Sequence, residues 1–372
     1  MYKKGLLSLV ALLNITLLYG VVPLDSSRYS FDLKRAFNKK NVIPIAIIGS
    51  GPAGLTAAMY GKRLGYPTTV FTGPLIGGQL TETTLIENWP GVKKTEGYTV
   101  MQILQEQVEE VGAVIVEDTI VSVDFGQWPF VLHTESKLTL HALSVIIATG
   151  AAPRKLGIPG ELEYWGKGVT ACSVCDCVFF KDKDVVVVGG GDSAVEEATQ
   201  LSHYARSVTV LVRKDRMRAV PIMQDKLEDY KNVKIVYNKQ VLKVLGDKAK
   251  VTGLEVLNTD TQRVETLKTD GLFLAIGRNP NTDLFKPYLK LTRNGYIDLE
   301  TRSQVTSVAG VYAAGDAQDS EFRQAVVAAG DACKAAFEAA QWLHKIGLTD
   351  LAIKRHASSF FDSKTYKENL SN

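Results

Sequence analysis

Two stretches of this chain each join a short apolar run to a glycine cluster and then to an alanine-rich helical pattern. They constrain the fold more than any other feature. The first reads "NVIPIAIIGSGPAGLTAAMYGKRLGYPTTVFTG", with a buried-strand pattern from Val42 to Ile48 and a turn at Gly49-Ser50-Gly51-Pro52-Ala53-Gly54. In a turn of this kind the first glycine permits the sharp reversal, and the second lets a pyrophosphate approach the backbone. The third, Gly54, allows close helix–strand packing. The helix that follows offers unpaired N–H groups to phosphates. The second stretch, "KDVVVVGGGDSAVEEATQLSHYARSVTVLVRKDRMRA", repeats the plan: strand Val185 to Val188, then Gly189-Gly190-Gly191-Asp192-Ser193-Ala194, with Ala194 in the helix-packing position. A lone G-x-G-x-x-G carries little weight. Two copies, each opening a strand–turn–helix unit, argue against turns that hold no ligand.

The ends of the second strands separate the two ligands. An acid about 20 residues after the first glycine usually takes the ribose hydroxyls. After Gly189 the chain instead reads Val212-Arg213-Lys214, with Arg218 shortly beyond. Cations there suit a 2′-phosphate, so the second unit is expected to take NADPH. The plainer reading is a solvated basic face. After Gly49 the corresponding residue is Thr72, not an acid, which leaves the first ligand open.

A length of 372 residues fits about two domains. The two units do not simply alternate, however. The late segment "GVYAAGDAQD", Gly310 to Asp319, reads as a short strand leading to Gly315-Asp316, a pattern that commonly returns a carboxylate to a flavin ribityl chain. The first domain is therefore expected to be completed by C-terminal sequence, with the second unit inserted between "ATGAAPRKLGIPGE" and "AIGRNPNTDLF". Both stretches carry the glycine and proline of connections. The expected fold is α/β, two Rossmann-like dinucleotide-binding domains with the NADPH domain inserted into the first. The expected divisions are 1–41 leader or anchor and linker, 42–155 first part, 156–281 inserted domain, 282–346 second part, and 347–372 a polar, basic tail.

The N-terminus stands apart. Lys3 and Lys4 precede an uncharged run of 17 residues, Leu6 to Val22, and five basic residues follow it by Lys40. That length lies between a signal-peptide core and a full span. The positive-inside tendency would make the run a membrane anchor that keeps the following domain cytoplasmic. A cleaved leader or an idle tail are the alternatives. The charge balance, 43 basic against 40 acidic side chains, holds no basic block that would suit nucleic acid.

Three of the four cysteines lie within "TACSVCDCVFF". A dithiol beside two dinucleotide sites has an immediate chemical meaning: NADPH delivers a hydride, a flavin takes it as two electrons, and the pair splits a disulfide. The two-residue spacing of Cys172 and Cys175 keeps the sulfurs close enough to bridge, and Asp176 is placed to move a proton to or from a leaving thiolate. A zinc site would need Cys172, Cys175, Cys177 and a distant Cys333 or histidine, without the second paired motif that structural zinc usually shows. Buried free thiols acting as small apolar residues are the remaining reading. Redox chemistry fits best.

From about Val42 to Leu343 the chain resembles the low-molecular-weight thioredoxin reductases of bacterial type. The resemblance rests on "GSGPAG", "GGQLTETTLIENWPG", "ATG", "GKGVTACSVCDC", "GGGDSAVEEA", "AIGRNPNT", "GVYAAGD" and "FRQAVVAAGDACKAA", in that order. It implies FAD at the first site, since that family also lacks the acid at the second strand end. Matching positions then put Gly49, Gly51, Ala53, Gly54, Gly78, Gln79, Asn88, Gly315, Asp316, Arg323, Gln324 and Ala325 at FAD. They put Gly189, Gly191, Asp192, Ser193, Arg213, Lys214 and Arg218 at NADPH. Cys172 and Cys175 would be the redox disulfide and Asp176 its acid–base partner. The resemblance further implies thioredoxin as acceptor, a homodimer, and a turning of the NADPH domain that alternately presents nicotinamide and disulfide to the flavin. Related reductases serving other disulfide or peroxiredoxin-type acceptors are the nearest alternative. The chain departs from the family pattern in three places. Val212-Arg213-Lys214 stands for a histidine and paired arginines. Cys177 stands for a glycine, with strain expected if the position needs positive φ. Both ends are longer.

Overall fold

A computed structural model describes residues 31–362, apart from Thr84 and Thr301, together with Tyr366. The apolar run at 6–22 lies outside the described residues, so the expected anchor or leader does too. Among the described residues no helix is long and apolar enough to cross a membrane.

The strand expected at Val42–Ile48 forms there and is buried along its whole length. Such a run has no polar face to turn outward, which suits the middle of a parallel sheet covered on both sides. Strands Thr68–Phe71 and Thr139–Ile147 flank it in parallel, with Ile47 opposite both Val70 and Ile146. Val114–Val116 adds to one edge, and Phe130–Thr134 with Ile120–Asp124 extends the other.

Thr139–Ile147 is long enough to serve two partners along one edge. Its first half pairs with Phe130–Thr134, and its second half, from Val145, pairs in parallel with Val311–Ala313. The late strand read from "GVYAAGD" thus joins the sheet begun 269 positions earlier at Val42 (311 − 42). Helices Pro52–Arg63 and Ala325–Lys345 pack against each other over this sheet. Ala57 and Ala58 on one and Ala332, Ala335, Ala336 and Ala339 on the other are buried, and such small side chains allow close approach.

A second parallel sheet runs Val233–Val236, Ser207–Leu211, Asp184–Val188, Gly271–Leu274, Val169–Thr170. An antiparallel meander, Lys239–Gly246, Val251–Asn258 and Val264–Lys268, packs beside it. Two crossings connect the sheets, and they pair with each other: Ala151–Pro153 runs antiparallel to Arg278–Pro280. The Thr149 hydroxyl donates to the Asn281 carbonyl at 2.7 Å, and the Asn281 side-chain amide donates back to the Thr149 carbonyl at 2.8 Å. Arg154 Nε donates to Asn279 Oδ1 at 2.8 Å. A two-stranded link of this kind resists bending in its own plane but tolerates twist.

The C-terminal segment departs from the polar tail expected from its composition. Leu348 and Phe361 are buried, and helix Asp350–Arg355 is capped by Thr349. Phe361 N donates to the Val42 carbonyl at 2.9 Å, beside the start of the central strand. The His356 ring stacks on Phe37, centroids 4.0 Å apart, and Phe31 meets Trp342 edge-on at 4.6 Å. The segments outside the two nucleotide units therefore pack on each other. A few apolar residues at chosen positions decide this, and average composition conceals them.

Candidate active site

The site begins at the first glycine turn. Gly49 leaves the central strand at φ +106°, and a Cβ there would lie 2.4 Å from the Ala148 carbonyl oxygen. Gly54, one helical turn on, has still less room: its Cβ would lie 1.8 Å from the Gly49 carbonyl oxygen. At Gly51 a Cβ would meet nothing within 4 Å. Of the three glycines, then, Gly49 fits the turn against the end of the neighbouring strand, Gly54 fits the helix against the turn, and Gly51 leaves an open approach, the division of roles a dinucleotide phosphate needs. Ser50 fixes the loop across from the turn, donating to the Thr72 carbonyl at 3.1 Å and accepting from Gly77 N at 3.1 Å. This brings Gly78 against Gly51, where a Cβ would sit 3.1 Å from the Gly51 Cα.

A cavity of about 920 Å³ opens in front of this turn. Gly49, Gly51, Ala53, Gly78, Gln79, Asn88, Asp316, Arg323, Gln324 and Ala325 line it, residues drawn from both ends of the sequence. Gly54 and Gly315 stand behind the lining, packed on the turn and on the helix Ala325–Lys345 respectively. The N-termini of Pro52–Arg63 and Ala325–Lys345 both reach the cavity, so two helix dipoles favour an anion there. Asn88 Nδ2 donates to Gln324 Oε1 at 3.3 Å, and Gln79 Nε2 to the Ala151 carbonyl at 2.8 Å. Burial pushes the Asp316 carboxyl up, with Arg278 and Arg323 working against it. Volume, open backbone and converging dipoles fit an extended dinucleotide such as FAD.

Cys172, Cys175 and Asp176 line the same cavity. Cys172 and Cys175 are joined as a disulfide with their Cα atoms 5.3 Å apart. Cys172 caps the one-turn helix Ser173–Asp176, its sulfur accepting from Cys175 N at 3.3 Å. Thr170 ties the turn from below: its hydroxyl donates to Asp176 Oδ2 and accepts from Cys172 N at 3.3 Å. Burial pushes the Asp176 carboxyl up, and the Thr170 hydrogen bond pulls it partly back. A carboxyl shifted in this direction holds its proton closer to neutral pH, as a proton donor to a leaving thiolate requires.

The sign of that shift sets a prediction. A carboxyl whose folded pKa is raised binds more protons folded than unfolded, so its contribution to stability falls as pH rises through the folded value. Asp176→Asn is therefore expected to be at least as stable as the wild type at neutral pH. The difference should shrink on acidification below the folded pKa and vanish below the unfolded one. Disulfide-dependent turnover should fall about 10²-fold or more. Thermal unfolding against pH, paired with disulfide-reductase rates, checks both; a large neutral-pH stability loss would assign Asp176 to structure instead.

Cys177 adopts φ −52°, ordinary helical backbone, so the strain anticipated at this position does not arise. It is a buried free thiol whose sulfur accepts from Gln200 Nε2 at 3.6 Å, packed in the core of the second unit. With Cys172 and Cys175 bonded to each other, the four-thiol metal arrangement is not present.

The second glycine turn stands elsewhere. Gly189, Gly191, Asp192, Ser193, Arg213, Lys214 and Arg218 are all absent from the cavity lining. They form their own cluster: the Gly190 carbonyl accepts from Arg218 N and Ala219 N, and Asp192 Oδ1 accepts from Val220 N at 2.9 Å. A Cβ at Gly191 would meet open space, as at Gly51. Arg213, Lys214 and Arg218 are exposed, and so is Arg216, a fourth cation that pattern matching passed over.

Sequence reasoning also missed Glu197 and Arg278. Glu197 Oε2 accepts from Ser173 N at 2.7 Å, steadying the cysteine turn from the helix Asp192–Ser202. Arg278 lies in "AIGRNPNT", which reads locally as a connector. Nothing in the local pattern of either residue announces the Glu197–Ser173 contact or the hydrogen bonds from Arg278 to Gln79 Oε1 and the Ala171 carbonyl.

Residues 43–332 match the family model described as pyridine nucleotide-disulphide oxidoreductase. The chain belongs to that family. Within it the chain groups with the thioredoxin reductases, NADPH-dependent thioredoxin-disulfide reductases that use FAD. It is 42% identical over 304 residues to the thioredoxin reductase of Rickettsia typhi, covering 81% of this chain and 98% of that protein. The structure of thioredoxin reductase from Giardia duodenalis superposes with a TM-score of 0.78 at 40% identity, covering 82% of this chain and all of that one. The Lactococcus lactis thioredoxin reductase in its FR conformation gives 0.56 at 34% identity with the same two coverages.

Proposed function

We propose that this chain passes two electrons from NADPH, through FAD in the cavity at Gly49–Gly54, to the Cys172–Cys175 disulfide and on to oxidised thioredoxin. One observation carries the reading: the disulfide and the first glycine turn line the same cavity. Bound flavin supplies the conversion of a hydride into an electron pair that sulfur can accept. The chain does the rest. Gly51 and the two helix N-termini receive the pyrophosphate, and Asp316, Arg323 and Gln324 bind along the cavity. Asp176 gives the proton as the Cys172–Cys175 bond breaks. The resulting dithiol attacks the acceptor's disulfide, a mixed disulfide forms, and the second thiol resolves it. The cysteine pair is oxidised again and thioredoxin leaves with two thiols.

The residues read as NADPH-binding, Gly189–Ser193, Arg213, Lys214 and Arg218, lie outside the lining of the cavity that holds the disulfide, so on this reading the 156–281 unit turns between half-reactions. The paired connectors at 151–153 and 278–280 suit that turn. Two relatives of equal coverage yet TM-scores of 0.78 and 0.56 support it, because unequal scores at equal coverage are what a change in the arrangement of two units produces. A homodimer follows from the family resemblance, and a cytoplasmic location from the supply of NADPH. An anchor at 6–22 would hold the enzyme to the inner face of a membrane.

The test is NADPH consumption by FAD-loaded protein with oxidised thioredoxin, and separately with a small colorimetric disulfide. Turnover with thioredoxin is expected, with NADH much slower. Absence of NADPH oxidation in the flavin-loaded protein with either acceptor would reject the reading. Turnover with a peroxiredoxin but not thioredoxin would select the alternative acceptor.

A further inference from the structure

Arg278 sits on the second connector strand, yet its guanidinium reaches three separate parts of the chain. Nη1 donates to Gln79 Oε1 and to the Ala151 carbonyl, each at 3.3 Å, and Nη2 donates to the Ala171 carbonyl at 3.4 Å. Gln79 belongs to the cavity wall beside the first glycine turn. Ala151 is in the opposing connector strand. Ala171 immediately precedes Cys172. One side chain therefore bridges the FAD wall, the connector pair and the root of the disulfide turn. Its charge also faces the carboxylates of Asp316 from the first unit and Glu197 from the second, with Arg323 opposing.

The geometry points to Arg278 as the positioning residue that latches the disulfide against the FAD cavity, and whose release accompanies the turning of the 156–281 unit. This rests on the two-arrangement reading above and deepens it. Ala171 travels with the inserted unit, whereas Gln79 stays with the first sheet, so a turn about the connectors separates two acceptors of one guanidinium. Both sets of hydrogen bonds hold only while Cys172 and Cys175 face the cavity. The planar fork matters as much as the charge: lysine offers one ammonium, which cannot span Gln79 and Ala171 together.

The experiment uses the FAD-loaded protein, reduced with a phosphine under anaerobic conditions, without NADPH or thioredoxin. A bulky maleimide is added and labelling is followed at each cysteine by peptide-resolved mass spectrometry. Arg278→Ala is expected to raise labelling of Cys172 and Cys175 about tenfold, the shift that about 1.4 kcal/mol of lost latch interactions produces. Arg278→Lys should behave nearly as the alanine variant does, and it carries the test should Arg278→Ala fail to fold. Cys177, buried within the second unit, is the internal control and should remain slow in both variants.

Unchanged labelling of Cys172 and Cys175 would overturn the latch, as would full restoration by lysine. A parallel rise at Cys177 would overturn it too, since that reports general loosening. Because no electron donor or acceptor is used, failure here is distinct from failure of the thioredoxin assay.

Discussion

Cys172→Ser and Cys175→Ser are each expected to abolish thioredoxin and small-disulfide reduction, by roughly 10³-fold or more, while NADPH still bleaches the flavin at close to the wild-type rate. The two halves of the reaction use different surfaces. The residues proposed for NADPH stand outside the lining of the cavity that holds the disulfide, so removing a sulfur is expected to leave the hydride half untouched. Either serine alone suffices, because one remaining thiol has no intramolecular partner with which to accept or return an electron pair. Stability should change little, since Cys172 and Cys175 are half-buried and close a loop separated by three positions only. Stopped-flow flavin absorbance and steady-state turnover measure both halves. Loss of flavin reduction in these variants would mean that the cysteines shape the hydride site, contrary to the separation described.

Gly54→Ala is expected to be as damaging, through backbone rather than chemistry. A methyl group there would press to 1.8 Å from the Gly49 carbonyl oxygen, and both atoms belong to a turn pinned on the central strand. No side chain is available to yield, so the helix must back away from the strand, at a cost of about 3 kcal/mol or more. The purified variant should be poorly stable and almost free of flavin. Gly51→Ala provides the contrast. Its Cβ meets nothing within 4 Å and the backbone at φ −65° accepts alanine. The apoprotein should unfold at the wild-type temperature, yet the methyl occupies the phosphate approach and FAD retention should fall. Flavin absorbance per chain, with thermal unfolding of apoprotein, separates the two. Equal stability loss in both variants would contradict the assigned division of roles.

Much of the architecture was legible because it is written locally. Strands at Val42–Ile48 and near Val185–Val188, the glycine turns after them, and the late strand before Gly315-Asp316 appear where their patterns place them. Each is decided by neighbours within a dozen residues. Arg278 and Glu197 were not legible, and the reason is sequence distance. Arg278 meets Gln79 across 199 positions, and Ser173 meets Glu197 across 24, through packing that no periodicity encodes. Cys177 illustrates the opposite limit: its side chain suggested strain, while its backbone is plain helix. The C-terminal segment misled through average composition, because a few apolar and aromatic residues, among them Leu348, His356 and Phe361, pack it against the rest of the chain.

By itself the sequence determined the two dinucleotide turns, the cations of the second, and a cysteine pair at bridging distance with a carboxyl beside it. These follow from backbone sterics and from contacts a few residues apart. Only the tertiary structure decided which turn the disulfide faces. That choice belongs to a two-stranded connector and to side chains spanning more than a hundred positions, among them Arg278 between Ala151 and Ala171. Local chemistry equips both sites alike, and the long-range contacts select which one the disulfide meets.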